Sequence, residues 1–398
     1  MTGIVIRGGR IVDGRGGVIE GGTVVLEGDR IVSVTGPGEP AETEGATVLD
    51  ATGKVVMPGL IACHEHLTFM NTKGEYLKVV AEDPIYLTLR CVKSGLVLLS
   101  EGVTTIREMG AREGVNVHYK RAVERGMIVG PRTYSCVQSI IMTGGTGHLT
   151  SRAADGPDEC RKAARELLFA GADFIKVKAS GNATSPRLRS PYVPNLTVEE
   201  MRAAFEEAHK NGKSTASHAM DRVSIENSIE AGVDVVDHGH ELTDAICETM
   251  VERGLFLIPT MTGHWQNAFN AARWGRPTRG VATWPEHFDS FKLALKHGVK
   301  IATGCDGVGN VHQEMELMVE GGMSCMDALI AGTRRGAEVL EIDRQVGTIA
   351  PGKWADLLIL DRDPLQDITN TRSISTVIAR GAVHSVEAIL SLTGDPLA

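Results

Sequence analysis

The sequence predicts an α/β protein: a (β/α)8 TIM barrel carrying a small β-sandwich domain assembled from both termini. Three observations lead there. Eight short apolar runs alternate with amphipathic helical segments through the middle of the chain. β-branched runs broken by glycine occupy both ends. The 398 residues, 42% of them hydrophobic, are enough to bury a large core around one such barrel.

The N-terminal elements come first. Gly3–Arg7, Gly8–Asp13, Gly22–Glu27, Arg30–Thr35, Thr47–Asp50 and Lys54–Met57 are short runs rich in Val and Ile, set between glycine turns. They read as a small antiparallel sheet.

From Pro58 the texture changes. Candidate barrel strands fall near residues 55–62, 103–108, 133–138, 173–178, 214–218, 233–238, 255–260 and 299–304. The helices between them carry explicit start and stop signals. Thr197 and Glu200 form a capping box ahead of Val198, Met201, Phe205 and Ala208 at helical spacing, and Asn211-Gly212 ends that helix before a strand at Lys213–His218. Asp221–Ala231 repeats the helix, Gly232 stops it, and Val233–His238 repeats the strand.

A helical stretch over Ser324–Leu340 precedes a return to β texture in Gly347–Asp361, and Thr376–His384 offers one more strand. The predicted division is a composite β domain of residues 1–57 plus 347–398, flanking a catalytic barrel of residues 58–346.

Composition narrows the function classes. Lys and Arg number 41 against 50 Asp and Glu, with no dense basic block, which argues against a nucleic-acid partner. Seven scattered cysteines without a C-x-x-C spacing suit a reducing cytoplasm. No apolar run approaches a membrane span, so no membrane partner is expected. Neither a Walker A motif nor a strand-linked G-x-G-x-x-G is present, and nucleotide chemistry has no support.

The strongest local feature is Pro58-Gly-Leu-Ile-Ala-Cys-His64-Glu-His66, an apolar strand ending in two histidines. Period-two geometry puts both imidazoles on one face, where they can chelate one metal at the mouth of a barrel. Alone, the pair reads better as two loop histidines. Three more apolar strands end in metal-capable side chains, at His218, His238 and Asp306, and the set together points to a metal site. Cys63 and Cys305 face away from their neighbours and read as packing residues. The strand Asp173-Phe-Ile-Lys176-Val-Lys178 carries two lysines where a barrel interior favours Val or Ile. Burying an ammonium is costly unless it is neutralised or modified. Lys176 and Lys178 share a face, and spacing does not separate them.

His64-x-His66, a strand lysine, His218, His238 and Asp306, in that order on a barrel, resemble the amidohydrolase superfamily. The resemblance runs nearly end to end: Gly3–Asp13 is similar to the family's opening β segment, Gly102–Glu108 to its second barrel strand, and Gly347–Pro364 to its closing segment. Phe174-Ile-Lys176-Val and Gly144-Gly-Thr-Gly-His148 resemble the imidazolonepropionase-like, prolidase-like branch. The resemblance implies two divalent metal ions, Zn²⁺ first among the metals such ligands suit, bridged by a carbamylated Lys176. His64, His66 and Asp306 would hold the inner ion, and His218 and His238 the outer one. A homo-oligomer is implied by the same relatives.

The function implied is a metal-dependent amidohydrolase that cleaves a C–N bond with a bridging hydroxide. The expected small-molecule substrate is an N-acyl amino acid, a dipeptide, or an aryl amide or carbamate. Asp306 would act as general base and then acid, and His148 would hydrogen-bond the carbonyl oxygen. The segment His264 to Arg279, with Trp265 and Arg273, reads either as a substrate-contacting lid or as a packing helix. Many prolidase-like relatives have an aromatic residue two positions beyond the fifth-strand histidine. Met220 stands there in this chain, which leaves room for non-peptide amides. The alternatives are a mononuclear deaminase or cyclic imidazolone hydrolase with Lys176 only structural, and a catalytically silent paralogue.

Overall fold

β-branched residues recur at both ends of the chain, and there they build one sheet. The computed structural model describes residues 3–38, 45–69, 79–181, 193–263 and 279–393. Strands Ile4–Val12, Val18–Glu27, Arg30–Thr35, Thr47–Asp50 and Val55–Pro58 join Leu357–Leu360, Ile374–Ala379 and Ala382–Ser385 in an eight-stranded sheet. Val55–Pro58 is the joint, pairing with Ile4–Val12 on one side and with Leu357–Leu360 on the other. One face packs as a cluster that includes Ile6, Ile11, Val24, Leu26, Ile31, Val56, Leu357, Ile359 and Ile378.

This sheet departs from the sequence reading in three ways. It is mixed rather than antiparallel, because Ile4–Val12 pairs in parallel with Thr47–Asp50 and with Val55–Pro58. The two runs read at Gly3–Arg7 and Gly8–Asp13 are one strand with irregular register around Gly9, next to Gly8 at φ +75°. The single strand read at Thr376–His384 is a hairpin, Ile374–Ala379 with Ala382–Ser385, turned by Arg380-Gly381 at positive φ.

In the central region, parallel strands alternate with helices. Leu60–Glu65, Val103–Glu108 and Arg132–Ser135 form one parallel sheet. Ile175–Lys178, Thr215–Ala219, Val235–His238, Phe256–Ile258 and Lys300–Ile301 form another, extended at one edge by the short strands Ile140–Ile141 and Arg152–Ala153. Hydrogen bonds join the two sheets at both ends. Asp173 N–H donates to Ser135 C=O at 2.8 Å, and Cys63 N–H donates to Thr303 C=O at 2.8 Å. The N–H groups of Cys305 and Asp306 both reach His64 C=O at 3.0 Å. A buried cluster draws on all eight strand regions, with Ile61, Cys63, Met109, Cys136, Phe174, Ala216, Val235, Ile258 and Ala302 in contact.

The strand that opens the central region is shorter than its apolar run. Residues 55–62 were expected as one strand, but Pro58-Gly59 splits the run: Val55–Pro58 serves the terminal sheet and Leu60–Glu65 the inner one. A Cβ on Gly59 would collide with Thr104, so only glycine lets the chain change sheets there.

The helices with explicit end signals in the sequence keep them. Thr197 and Glu200 complete the capping box of Val198–Lys210, an arrangement in which the cap residue contributes about 1 kcal/mol. Asp221 accepts from Ser224 N–H at 2.9 Å to start Arg222–Ala231, and Gly232 ends it at φ +97°. The stretch read as one helix at Ser324–Leu340 is two, Cys325–Ala331 and Arg334–Val339, broken where Thr333 leaves helical geometry.

Candidate active site

The strand Leu60–Glu65 and the residue after it deliver His64 and His66 to the C-terminal edge of the inner sheet. The chain after Lys300–Ile301 brings Asp306 to meet them. Both Nε2 atoms converge on one oxygen, at 3.2 Å from His64 and 3.4 Å from His66 to Asp306 Oδ1. Ligand atoms of the three residues all lie within 4.8 Å of one another. Gly304 permits this approach, because a Cβ there would sit 2.6 Å from His64 Cβ.

The far nitrogen of each imidazole is already held. His64 Nδ1 lies 3.0 Å from Asp237 Oδ1, and His66 Nδ1 lies 3.2 Å from the carbonyl of Gly110. A carboxylate or carbonyl facing each Nδ1 favours the tautomer protonated there, which leaves Nε2 with a lone pair, as in metal-ligating histidines. Burial would push Asp306 up, but its contacts with the His64 and His66 rings outweigh it and hold its carboxyl well below the usual range. Burial pulls His66 down, which favours its neutral form. The donor set fits a divalent cation of the borderline type.

His238 stands beside this trio, its ring centroid 5.0 Å from that of His64, and His218 is 4.3 Å from His238. His238 Nδ1 contacts Thr260 Oγ1 at 2.7 Å, and His218 Nε2 contacts Gly181 C=O at 3.3 Å. Burial, then the charges of Lys176 and Lys178, pull His218 down to about 3, so it stays unprotonated. His238, Thr260 and Asp306 all have positive φ, at 75°, 51° and 58°. Such backbone costs on the order of 1–3 kcal/mol per residue and collects at functional sites.

The two lysines separate in space. Lys176 is 2% exposed and forms an ion pair with Asp237 Oδ2. Burial pulls its ammonium down, against the opposing pull of Asp237. Lys178 is partly exposed, and its Nζ donates to Ser151 Oγ at 3.1 Å. Burial, then the charge of Lys176, draws it down to about 8.

His148 opens a short 3-10 turn, with Gly147 before it at φ +70°. Its Nδ1 accepts from Gly144 N–H at 3.3 Å, which leaves Nε2 as the protonated nitrogen. Gly147 presses on the Lys178 ammonium, so this turn belongs to the same neighbourhood. His264, Trp265 and Arg273 lie outside the described residues. Cys63 and Cys305 are buried, with Cys63 pushed up to about 12 and Cys305 raised well above its ordinary value, chiefly by burial. Neither thiol is disposed to ligate as thiolate.

Sequence reasoning passed over Asp237, Arg107, Glu65 and Thr260. Asp237 touches both Lys176 and His64 from a position 0% exposed. Arg107 stacks 4.2 Å over Phe174 and comes within 3.9 Å of Asp237, with all three guanidinium nitrogens lacking a hydrogen bond. Glu65, between the two histidines, is buried and raised well above the usual carboxylate range by that burial. An acidic residue before a strand-end histidine, and an arginine inside an apolar strand, are the signals that were available.

The profile of the Amidohydrolase family matches residues 55–383. Ochratoxinase of Aspergillus niger is 26% identical over 405 aligned residues, covering 92% of this chain and 82% of that protein. Among solved structures, a Xaa-Pro dipeptidase with methionine bound in its active site superposes with a TM-score of 0.88 at 26% identity. That match covers 96% of this chain and 100% of the other. A prolidase complexed with N-methylphosphonate-L-proline superposes with a TM-score of 0.88 at 30% identity, with the same coverage.

Proposed function

The chain belongs to the amidohydrolase family, and from that premise we propose how its site works. It is a metal-dependent hydrolase of carbon–nitrogen bonds, as its ochratoxinase and prolidase relatives indicate. The observation that carries the rest is the convergence of His64 and His66 Nε2 on Asp306, with Asp237 and Gly110 holding the opposite nitrogens.

In this reading His64, His66 and Asp306 would hold one divalent ion and His218 and His238 a second, with a carbamylated Lys176 as the ligand they would share. Zn²⁺ is the first choice for such donors. A carbamate at Lys176 would place an anion beside Asp237, and the guanidinium of Arg107, 3.9 Å from Asp237 and without a hydrogen bond, supports that arrangement by offering a buried countercharge. When bound, the ions supply an activated water and polarise the scissile carbonyl.

The chain's own groups do the remainder. Asp306, held ionised, takes the proton of the attacking water at its carboxylate and passes it to the leaving nitrogen. His148 donates from Nε2 to the carbonyl oxygen as negative charge develops there. Glu65 and Arg107 are fully buried and would not reach substrate.

The same reading assigns residues 58–346 to a closed (β/α)8 barrel, supported by the hydrogen bonds at both sheet junctions and by the eight-strand cluster. Residues 1–57 and 347–398 form the companion domain, with the terminal sheet folding over its apolar cluster as a sandwich. Substrates are small N-acyl amino acids, dipeptides, aryl amides or carbamates. Seven unpaired cysteines support a cytoplasmic setting, and no helix among the described residues is long and apolar enough to cross a membrane. A homo-oligomer is the proposed assembly.

The test is a hydrolysis screen of chelator-stripped and metal-reconstituted protein across those four substrate classes. Turnover restored by Zn²⁺, Mn²⁺ or Co²⁺ is the expected result. Metal-independent turnover, or one tightly held ion with unmodified Lys176 and deaminase activity, would overturn the binuclear reading.

A further inference from the structure

We infer that Lys178 anchors a carboxylate of the substrate, so that the preferred substrates are N-acyl amino acids or dipeptides with a free α-carboxylate. The inference rests on the hydrolytic reading above and narrows its substrate class.

Lys178 sits in register with His218 on the neighbouring strand, so its backbone lies one strand away from a candidate ligand. Lys176, two residues earlier, is committed to Asp237. Lys178 has no such partner: its one hydrogen bond among the described residues goes to Ser151 Oγ, which in turn pairs with Ser139 Oγ at 3.0 Å. Asp306 is the carboxylate whose charge reaches it, and that group is engaged by His64 and His66.

An ammonium has three N–H donors, and one of them is used among the described residues. A half-buried cation without an ion pair is a ready partner for an arriving anion, because the pair is screened less there than in open water. One positive charge beside two serine hydroxyls matches a carboxylate, singly charged and able to accept several hydrogen bonds. The position is also built to hold that head group still. Gly147, left-handed at φ +70°, packs directly against Lys178 Nζ where any Cβ would collide, and the next residue is His148. In an N-acyl amino acid the carboxylate is attached to the carbon next to the scissile nitrogen. A carboxylate at Lys178 therefore brings the amide toward the converging His64, His66 and Asp306. This route does not need an aromatic residue at position 220, where the chain has Met220.

The experiment compares matched acids and amides on the full-length, Zn²⁺-loaded protein: N-benzoylglycine against its amide, and N-acetyl-L-phenylalanine against its amide. Binding is measured by titration calorimetry, turnover by amine release, and metal content by elemental analysis, for wild type, Lys178→Met, Lys178→Arg and Lys176→Met. Wild type should favour the acids by about ten-fold or more, as expected for a charge-assisted contact. In Lys178→Met the acid-to-amide ratio should fall toward one, through KM rather than kcat, with metal content at the wild-type level. Lys178→Arg should recover part of the preference. Equal binding of acid and amide by wild type overturns the inference, as does a preference that survives in Lys178→Met. Loss of metal from Lys178→Met, with metal retained in Lys176→Met, also overturns it and makes Lys178 the bridging ligand. An acid preference that depends on Lys178 without any turnover would sustain the anchor and sink the hydrolytic reading instead.

Discussion

Asp237 Oδ1 lies 3.0 Å from His64 Nδ1, both side chains are buried, and the other oxygen of Asp237 pairs with Lys176. One carboxylate thus orients a candidate ligand and restrains the candidate bridging group. Burial opposes its ionisation, yet the charge of Lys176 and then His64 hold it well below the usual carboxylate range.

Asp237→Asn should keep the fold and lower metal affinity by about 10–100-fold, the usual effect of losing a carboxylate behind a ligating imidazole. Asp237→Ala should lose more, since nothing then accepts from His64 Nδ1. Competition with a fluorescent chelator reads both, and unchanged affinity in the alanine variant would remove Asp237 from the site.

If Lys176 is the bridge, Lys176→Ala should hold fewer metal ions per chain than wild type. Native intact mass should show an added carbon dioxide on wild type that is absent from the variant. Full metal content and turnover in Lys176→Ala would show that the strand lysine is only structural.

Gly304→Ala should damage the site by direct collision with His64. Its new Cβ would lie 2.6 Å from His64 Cβ and 2.9 Å from His64 N. Forcing the strands apart should cost about 1–3 kcal/mol and weaken metal binding together. Thermal unfolding and metal titration on the same sample test whether the two losses are coupled.

Glu108 gives a pH-dependent prediction. Burial pushes its carboxyl up to about 7, against hydrogen bonds from Asn116 and from Gly110 N–H. A carboxyl raised in the folded state binds more protons folded than unfolded between its ordinary value and about 7. Stability should therefore decline as pH rises through that window, and level off above it. Glu108→Gln stays neutral, so its stability relative to wild type should rise between pH 5 and pH 8, on the order of 1–3 kcal/mol. Urea unfolding at both values checks the sign. A constant difference between variant and wild type would show that Glu108 does not titrate there.

Much of this was legible in the sequence because local chemistry agreed with the fold. Capping at Thr197 and Asp221, the glycine stop at Gly232 and the run of apolar strands each specify an element unaided. His64, His66 and Asp306 were readable because strand-end placement puts them at one edge. What was not legible depends on partners remote in sequence. Asp237 looks like any polar residue near a strand end until Lys176 and His64 arrive beside it. The sheet change at Pro58-Gly59 is set by Thr104 and by Leu357–Leu360, neither of which leaves a mark on the local pattern. Lys176 and Lys178 share a periodicity, and only their different neighbours tell them apart.

The strand Val55–Pro58 has a consequence for how the protein is made. It receives one neighbour from Ile4–Val12 early, but the other, Leu357–Leu360, leaves the ribosome about 300 residues later. Throughout that interval a nascent chain carries an apolar edge open to strangers. A chaperone that shields edges during translation should matter more to the yield of this protein than to its stability once finished.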